Sequence, residues 1–313
     1  MNLICKQTLY RFTLYLFYKG VRYMNIDYLF LKLRFSGLST HQIHRLLKYK
    51  NDFMFYNKHE QQAILQLYLS TIKSKKKDQI YQDFVNNPID AILIQLHKWN
   101  INFIGINHPS YPKLLREIHD PPLILFYKGD ITLTTRDQTL AIVGSRHATR
   151  YTGDALKFLF PSFKKKDLTI VSGLAEGADQ AAHQHALDNQ MSAIAVLGFG
   201  HLNHYPKSTQ NIRNQLERTG LVISEYLPYQ KPLKHHFPER NRLISGLSKG
   251  VLITESTIKS GTSITTNCAL EQNREVYVLP GSMFNDMTMG NLISAQEGAK
   301  IVISAKDIID DFN

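Results

Sequence analysis

The chain has 313 residues, 43% of them hydrophobic, with 37 Lys and Arg against 26 Asp and Glu and a formal net charge of +11. That length exceeds one small domain, makes two the natural expectation and allows a real core. Only Cys5 and Cys268 are present, far apart in sequence, which excludes a disulfide framework or a cysteine metal site and fits a reducing cytoplasm.

The charge is unevenly placed. Residues 1–100 hold 15 Lys and Arg against 6 Asp and Glu, while residues 101–313 hold 22 against 20. An amino-terminal excess of this kind fits a polyanion partner, and it equally fits a solvated surface. The 13 histidines show no HExxH or comparable ligand spacing, so no metal is expected. His235-His236 and the pair His183 and His185 read as surface or packing residues.

Residues 1–24 read as an N-terminal extension. Leu9 to Tyr18 is aromatic and apolar but contains Arg11, and it is too short to span a bilayer. No small-residue cleavage site follows, so neither a membrane span nor a secretory signal is expected. Met1 and Met24 both stand as candidate starts, the second making the preceding residues a gene-model artefact.

Residues 25–104 read as a small helical domain. Leu29, Leu31, Leu33, Ile43, Leu46 and Leu47 recur at helix spacings, as do Ile64, Leu65, Tyr68 and Leu69. Phe35 to Thr40 breaks the first helix, and Ser39 or Thr40 then caps the next, His41 to Leu47. Short helices joined by a Gly turn can clamp a nucleic-acid backbone, although the pattern is also common without that role. Lys73 to Lys77 reads as a solvated basic loop.

Residues 105–313 read as the second domain. A junction up to residue 139 is punctuated by Tyr111-Pro112, Asp120-Pro121-Pro122 and Lys128-Gly129-Asp130, around short apolar runs such as Leu123 to Tyr127. Alternation then becomes regular. Strands are expected at 140–144, 168–172, 193–198, 221–224, 250–255, 275–279 and 300–303, and helices at 151–163, 178–189, 207–219, 262–273 and 305–312. Apolar strands alternating with helices mean a doubly wound, mostly parallel sheet.

Several expected strand ends carry small, Gly-bearing turns: Gly144-Ser145, Ser172-Gly173, Gly198 with Gly200, Ser260-Gly261-Thr262 and Pro280-Gly281-Ser282. Gly lets backbone approach a phosphate, and a following helix offers free N–H groups and a positive dipole end. In an open α/β sheet, ligands sit outside the carboxyl ends of the strands. Gly144, Ser145, Ser172, Gly173, Gly261 and Thr262 are therefore the candidate phosphate-cradling residues. Arg146 adds a charged fork suited to phosphate. Neither GxGxxG nor GxxxxGK[ST] is present, so a dinucleotide or P-loop site lacks support. In Lys234 to Arg242, a lysine and two arginines flank Phe237, and charges beside a ring are the ingredients of single-strand binding. The alternative there is a surface loop anchored by a buried Phe.

These residues carry a family resemblance. The matching stretches run from Tyr111-Pro112 through Ala141 to Arg146 with Tyr151 and Gly153, then Ser172 to Ala175 with Gly177, Asp179 and His183. They continue through Ala195 to Gly198 with Tyr205-Pro206, Ser224-Glu225, Phe237-Pro238 with Arg240-Asn241-Arg242, Ser260-Gly261-Thr262 and Pro280-Gly281. The chain resembles the DprA/Smf family of DNA-processing proteins over roughly residues 105–303. Its helical part is similar, more loosely, to the family's sterile-alpha-motif-like domain.

The resemblance implies an extended Rossmann-like fold that dimerises and needs no metal or nucleotide cofactor. It implies a cytoplasmic, non-enzymatic protein of natural transformation that binds and protects single-stranded DNA and loads RecA recombinase. Carried onto this sequence, Arg146 holds a DNA phosphate, Lys234 contacts another, and Phe237 stacks a base. Arg240 and Arg242 line the same pocket, and Lys207 is a further contact. Two departures stand out: Ala178 replaces a frequent Ile, and no winged-helix domain is expected, since about ten residues follow Ile303.

Two rival readings differ in class. Rossmann-like nucleotide phosphoribohydrolases place a glycine-rich, Thr- and Glu-bearing motif at a helix start, and Ser260-Gly261-Thr262 with Glu271 looks faintly similar. The PGGxGTxxE pattern is missing, so Glu255 and Glu271 read as structural residues that pair with arginines or cap helices. The other rival is a scaffold that recruits RecA without DNA affinity.

Overall fold

The structure, a computed structural model, describes residues 21–258 and 260–312. Cys5 and the apolar run from Leu9 to Tyr18 lie outside the described residues. The chain divides into two compact units. One holds the helices up to Lys98 together with Ile104–Pro109 and Pro122–Ile124, and the other holds Trp99–Phe103, Ser110–Pro121 and the chain from Leu125 onward.

The first unit contains α1 (Val21–Phe35), α2 (Thr40–Tyr49), α3 (Lys58–Thr71), α4 (Lys77–Asn86) and α5 (Ile89–Lys98). Gly37, at φ +101°, ends α1 in the left-handed region that glycine adopts without penalty. Of the two candidate caps, Ser39 is the one used. It accepts from the Gln42 N–H while the Gln42 side chain accepts from the Ser39 N–H, a reciprocal capping box. Asn57 and Glu60 repeat the device at the start of α3. The periodic residues Leu31, Leu33, Ile43, Leu46, Leu65, Tyr68 and Leu69 are buried, as the helix spacing predicts.

The rest of the chain builds β1 (Asn102–Gly105), β2 (Ile124–Gly129), β3 (Thr139–Val143), β4 (Thr169–Ser172), β5 (Ala193–Leu197), β6 (Leu221–Ser224), β7 (Gly250–Ile253), β8 (Glu275–Val278) and β9 (Lys300–Ile301). The sheet order is β1-β2-β6-β5-β4-β3-β7-β8-β9. Pairing is parallel from β6 through β9, and β2 runs antiparallel to β6. The chain winds outward from β3 to β6, then returns to β7 on the other side of β3. That reversal is the switch point at which open α/β sheets leave a crevice.

The helices are α6 (Lys113–Arg116), α7 (Arg150–Lys165), α8 (Ala178–Asp188), α9 (Gln210–Thr219), α10 (His236–Gly246), α11 (Gly261–Glu271), α12 (Asp286–Gln296) and α13 (Lys306–Ile309). Every residue of β3 through β7 is buried, so both sheet faces are covered. One face packs Leu140, Ile142, Ile170, Leu197 and Leu252 against Leu156, Phe160 and Phe163 of α7, Ala182 and Ala186 of α8, and Ile212 and Leu216 of α9.

The seven expected strands and five expected helices all form, within a few residues of their expected ends. Five elements of this part of the chain differ from expectation: β1, β2, α6, α10 and α12. β1 straddles the expected domain boundary at 104/105 and β2 lies in the junction, where the one-turn α6 is too short to show a helical period and β2 runs antiparallel to β6. α12 was not expected, because its buried Thr288 and Asn291 break the apolar period. α10 forms from His236 onward in the stretch for which a surface loop anchored by Phe237 is the alternative reading. Pro238 falls in its first turn, where proline is tolerated, and Arg240, Leu243 and Ile244 supply the buried face.

Candidate nucleic-acid interface

A cleft opens at the carboxyl ends of β3, β4 and β5. Its walls are Arg146 after β3, Gly173 to Glu176 after β4, Tyr205-Pro206 after β5, and Phe237 and Arg240 from α10. Its floor and its rim are chemically different.

The floor is buried and satisfied by the chain itself. Arg240 is 4% exposed. It donates from Nη1 to the Gly173 carbonyl at 2.5 Å and to the Val196 carbonyl. Asp179, in the first turn of α8, accepts the Gly173 N–H at 3.1 Å. Burial raises the Asp179 pKa, and the Arg240 charge with the Ala175 and Gly173 N–H groups opposes that rise. Burial lowers the Arg240 pKa, and Asp179 opposes it in turn. One helical turn further along α8, His183 is fully buried and pushed down to about 4, first by burial and then by the Arg240 charge.

This floor corrects the expected phosphate cradle at Ser172-Gly173. The helix N-terminus is already occupied by the protein's own Asp179 carboxyl group, which accepts the Gly173 N–H. The Ser172 hydroxyl donates to the Ile142 carbonyl at 2.6 Å, clipping β4 to β3. A Cβ on Gly173 would overlap the Arg240 guanidinium, so glycine is required there by the protein's own arginine. The Gly144-Ser145 turn is likewise occupied. Thr254 and Ala178 fill the space a Gly144 Cβ would take, the Ser145 N–H donates to the Glu255 carbonyl at 2.7 Å, and the Ala178 N–H donates to the Ser145 carbonyl. Thr262 is buried, whereas Gly261 faces open space at the start of α11.

The rim is exposed. The Arg146 guanidinium lies 5.2 Å from the centre of the Phe237 ring, a cation–π contact. The Tyr205 ring lies 5.7 Å from Phe237, tilted by 48°. Phe237 is half-buried and packs on the core, while Tyr205 is 47% exposed. Lys207 follows Pro206 at the surface, and Lys234 is exposed just before α10. The Tyr205 loop is braced. Buried Arg213 donates to the His201 carbonyl at 2.6 Å and to the Asn203 carbonyl, and Ser208 donates to Glu176 at 2.8 Å. Tyr205 was named in the sequence only as part of a motif; its 47% exposure beside Phe237 marks it as a site residue.

Arg242 does not join Arg240. Residues two apart on a helix point to opposite sides, and Arg242 pairs with Glu225 at 2.5 Å and Asp120 at 3.2 Å. Burial works against its charge, but these carboxylates outweigh it and its pKa is raised. Glu255 is fully buried and caps α7. It accepts from the Thr149 N–H, the Thr149 hydroxyl and the Thr152 hydroxyl, each at 2.7 Å. His236 packs its ring 4.1 Å from Tyr226, and His235 is exposed. Among the described residues no His, Cys, Asp and Glu group could hold a metal, and no helix is long and apolar enough to cross a membrane.

The protein is thus a Rossmann-like α/β protein with a cationic, aromatic cleft at its strand ends. It belongs to the DNA recombination-mediator protein A family, whose profile matches residues 102–313. It is 36% identical over 247 residues to the DNA processing protein DprA of Bacillus subtilis, covering 77% of this chain and 83% of that one. It is 35% identical to the DprA of Streptococcus pneumoniae, covering 91% and 98%. The crystal structure of S. pneumoniae DprA superposes with a TM-score of 0.79 at 34% identity, over 92% of this chain and 98% of that one. The Helicobacter pylori DprA structure, described for its single-stranded DNA binding mode, superposes with a TM-score of 0.60 at 27% identity, over 67% and 94%.

Proposed function

We propose that this protein binds single-stranded DNA across the rim of the strand-end cleft and, by holding it, protects it and loads RecA recombinase during transformation and recombination. The observation that carries the reading is the stack of Arg146, Phe237 and Tyr205 at the mouth of the cleft. Arg146 neutralises a phosphate, the exposed Tyr205 ring and the Phe237 edge receive an unpaired base, and Lys207 and Lys234 extend the cationic track. The single-stranded DNA binding described for the H. pylori relative supports the same role here. The protein acts by binding rather than by catalysis, needs no cofactor, and works in the cytoplasm. It acts as a homodimer, which sets two clefts on one strand and raises affinity through effective concentration.

Arg240 acts as a positioning residue that fixes the floor beneath Phe237, and Arg242 holds α10 in place. The test is fluorescence anisotropy of the full chain with labelled single-stranded and duplex oligonucleotides over a salt series. Salt-sensitive binding that favours the single strand supports the proposal. Equal affinity for both forms, or no binding at low salt, overturns it.

A further inference from the structure

The basic excess of residues 1–100 is not absorbed by the strand-end cleft, and the helical unit gathers part of it on one face. Along α2, Thr40, Ile43 and Leu46 are buried. His41, Arg45, Lys48 and Tyr49 are exposed. Those four occupy positions i, i+4, i+7 and i+8, a single stripe of the helix. No acidic residue occurs from Tyr28 to Asn51, and Asp52, which follows, acts on Lys50 and lies outside the stripe. Lys50 follows at the C-cap, with its ammonium 5.3 Å from the Tyr56 ring.

Two rings flank the charges. Tyr49 is 50% exposed, and its one described ring neighbour is Tyr68 at 5.8 Å. Phe55 is 68% exposed in the turn Phe53–Phe55, whose first N–H bonds back to the Lys50 carbonyl. The face is held rigidly. The Ser39–Gln42 capping box fixes the start of α2, and the Tyr68 hydroxyl donates to the Gln42 carbonyl at 2.9 Å. Exposed rings beside exposed cations match the needs of a polyanion with π-faces.

We infer that the α2 face, Arg45, Lys48 and Lys50 with Tyr49 and Phe55, is a second single-stranded nucleic-acid contact, separate from the strand-end cleft. Its occupant is a phosphate backbone with unpaired bases, bound without sequence preference. The cations neutralise phosphates and the rings stack bases.

The test uses the full chain and a labelled oligo-dT. Arg45→Glu with Lys48→Glu changes only exposed residues, so folding is retained. It is expected to weaken binding about tenfold at low salt and to flatten the slope of log affinity against log salt by about 1.4, roughly 0.7 per lost phosphate contact. Combined with Arg146→Ala, it is expected to abolish the salt-dependent binding that Arg146→Ala alone leaves. Separately, F55W places a reporter on the face, and its emission is expected to be quenched by oligo-dT even with Arg146→Ala present. Unchanged affinity and slope in R45E/K48E, with F55W emission no different from the native Trp99 background, overturn the inference. The two sites fail distinguishably. Loss of binding in R146A alone speaks for the cleft and against this face, whereas loss in R45E/K48E alone speaks for this face and against the cleft.

Discussion

Arg240 and Arg146 line one cleft yet do opposite work, and the difference is burial. Arg240 lies at the floor, donating to two carbonyls beside a buried carboxylate. Arg146 lies at the rim over an aromatic ring, with its charge open to solvent. A buried arginine is committed to its partners, and removing it strands them. An exposed one costs little to keep and is available to a ligand. Residue type and proximity alone do not separate a structural cation from a binding one.

The largest effect should come from Arg240→Ala. It strands the Gly173 and Val196 carbonyls and removes the charge that favours the Asp179 carboxylate, and is expected to cost about 2–4 kcal/mol in chemical denaturation. Its cost should shrink as pH falls. Asp179 has a raised pKa in the fold, so its charged form opposes folding at high pH, and that opposition fades on protonation. A loss below about 1 kcal/mol at neutral pH would show that the floor is not built on Arg240. Gly173→Ala attacks the same floor sterically and should cost about 1–3 kcal/mol, because its Cβ meets the guanidinium. Wild-type stability in that variant would mean Arg240 has room to move.

His183 sharpens the comparison from the side of pH. Its ordinary pKa of 6.5 is pushed down to about 4 in the fold. A base with a depressed pKa lends stability above its unfolded value, and that stability is lost as pH falls through the folded one. His183→Leu should therefore flatten the acid limb of the stability profile between 6.5 and about 4. A limb as steep as in the parent would exclude His183 as its cause. The smallest stability effect belongs to the rim. Tyr205→Ala should alter stability by under about 0.5 kcal/mol while weakening single-strand binding by about 1–3 kcal/mol. Unchanged binding in that variant would take Tyr205 out of the site.

The sheet was legible because β3 through β8 are apolar runs closed by small turns, and because helical periods separate most of them. β1 and β2 were missed because the four-residue α6 between them is too short to show a helical period, and α12 because its buried positions are polar. The rim was legible in part: Arg146 and Phe237 were named, and they meet. What the sequence hid was who fills each glycine turn. Gly173 reads equally well as a phosphate cradle or as room for Arg240, and only the fold places Asp179 and Arg240 there. Likewise Arg240 and Arg242 look alike in a linear motif, and the period of α10 sends them to opposite sides. A clue was present in Asp179: an acid in a small-residue turn needs a buried base.

The most direct test of the account compares the parent with Arg146→Ala in binding of single-stranded oligo-dT across a salt series, with thermal melting to confirm the fold. The account predicts an unchanged melting temperature, weaker binding and a salt slope shallower by about 0.7, the signature of one lost phosphate contact. A folded variant with the parent's affinity and slope would contradict it and move DNA binding away from this cleft.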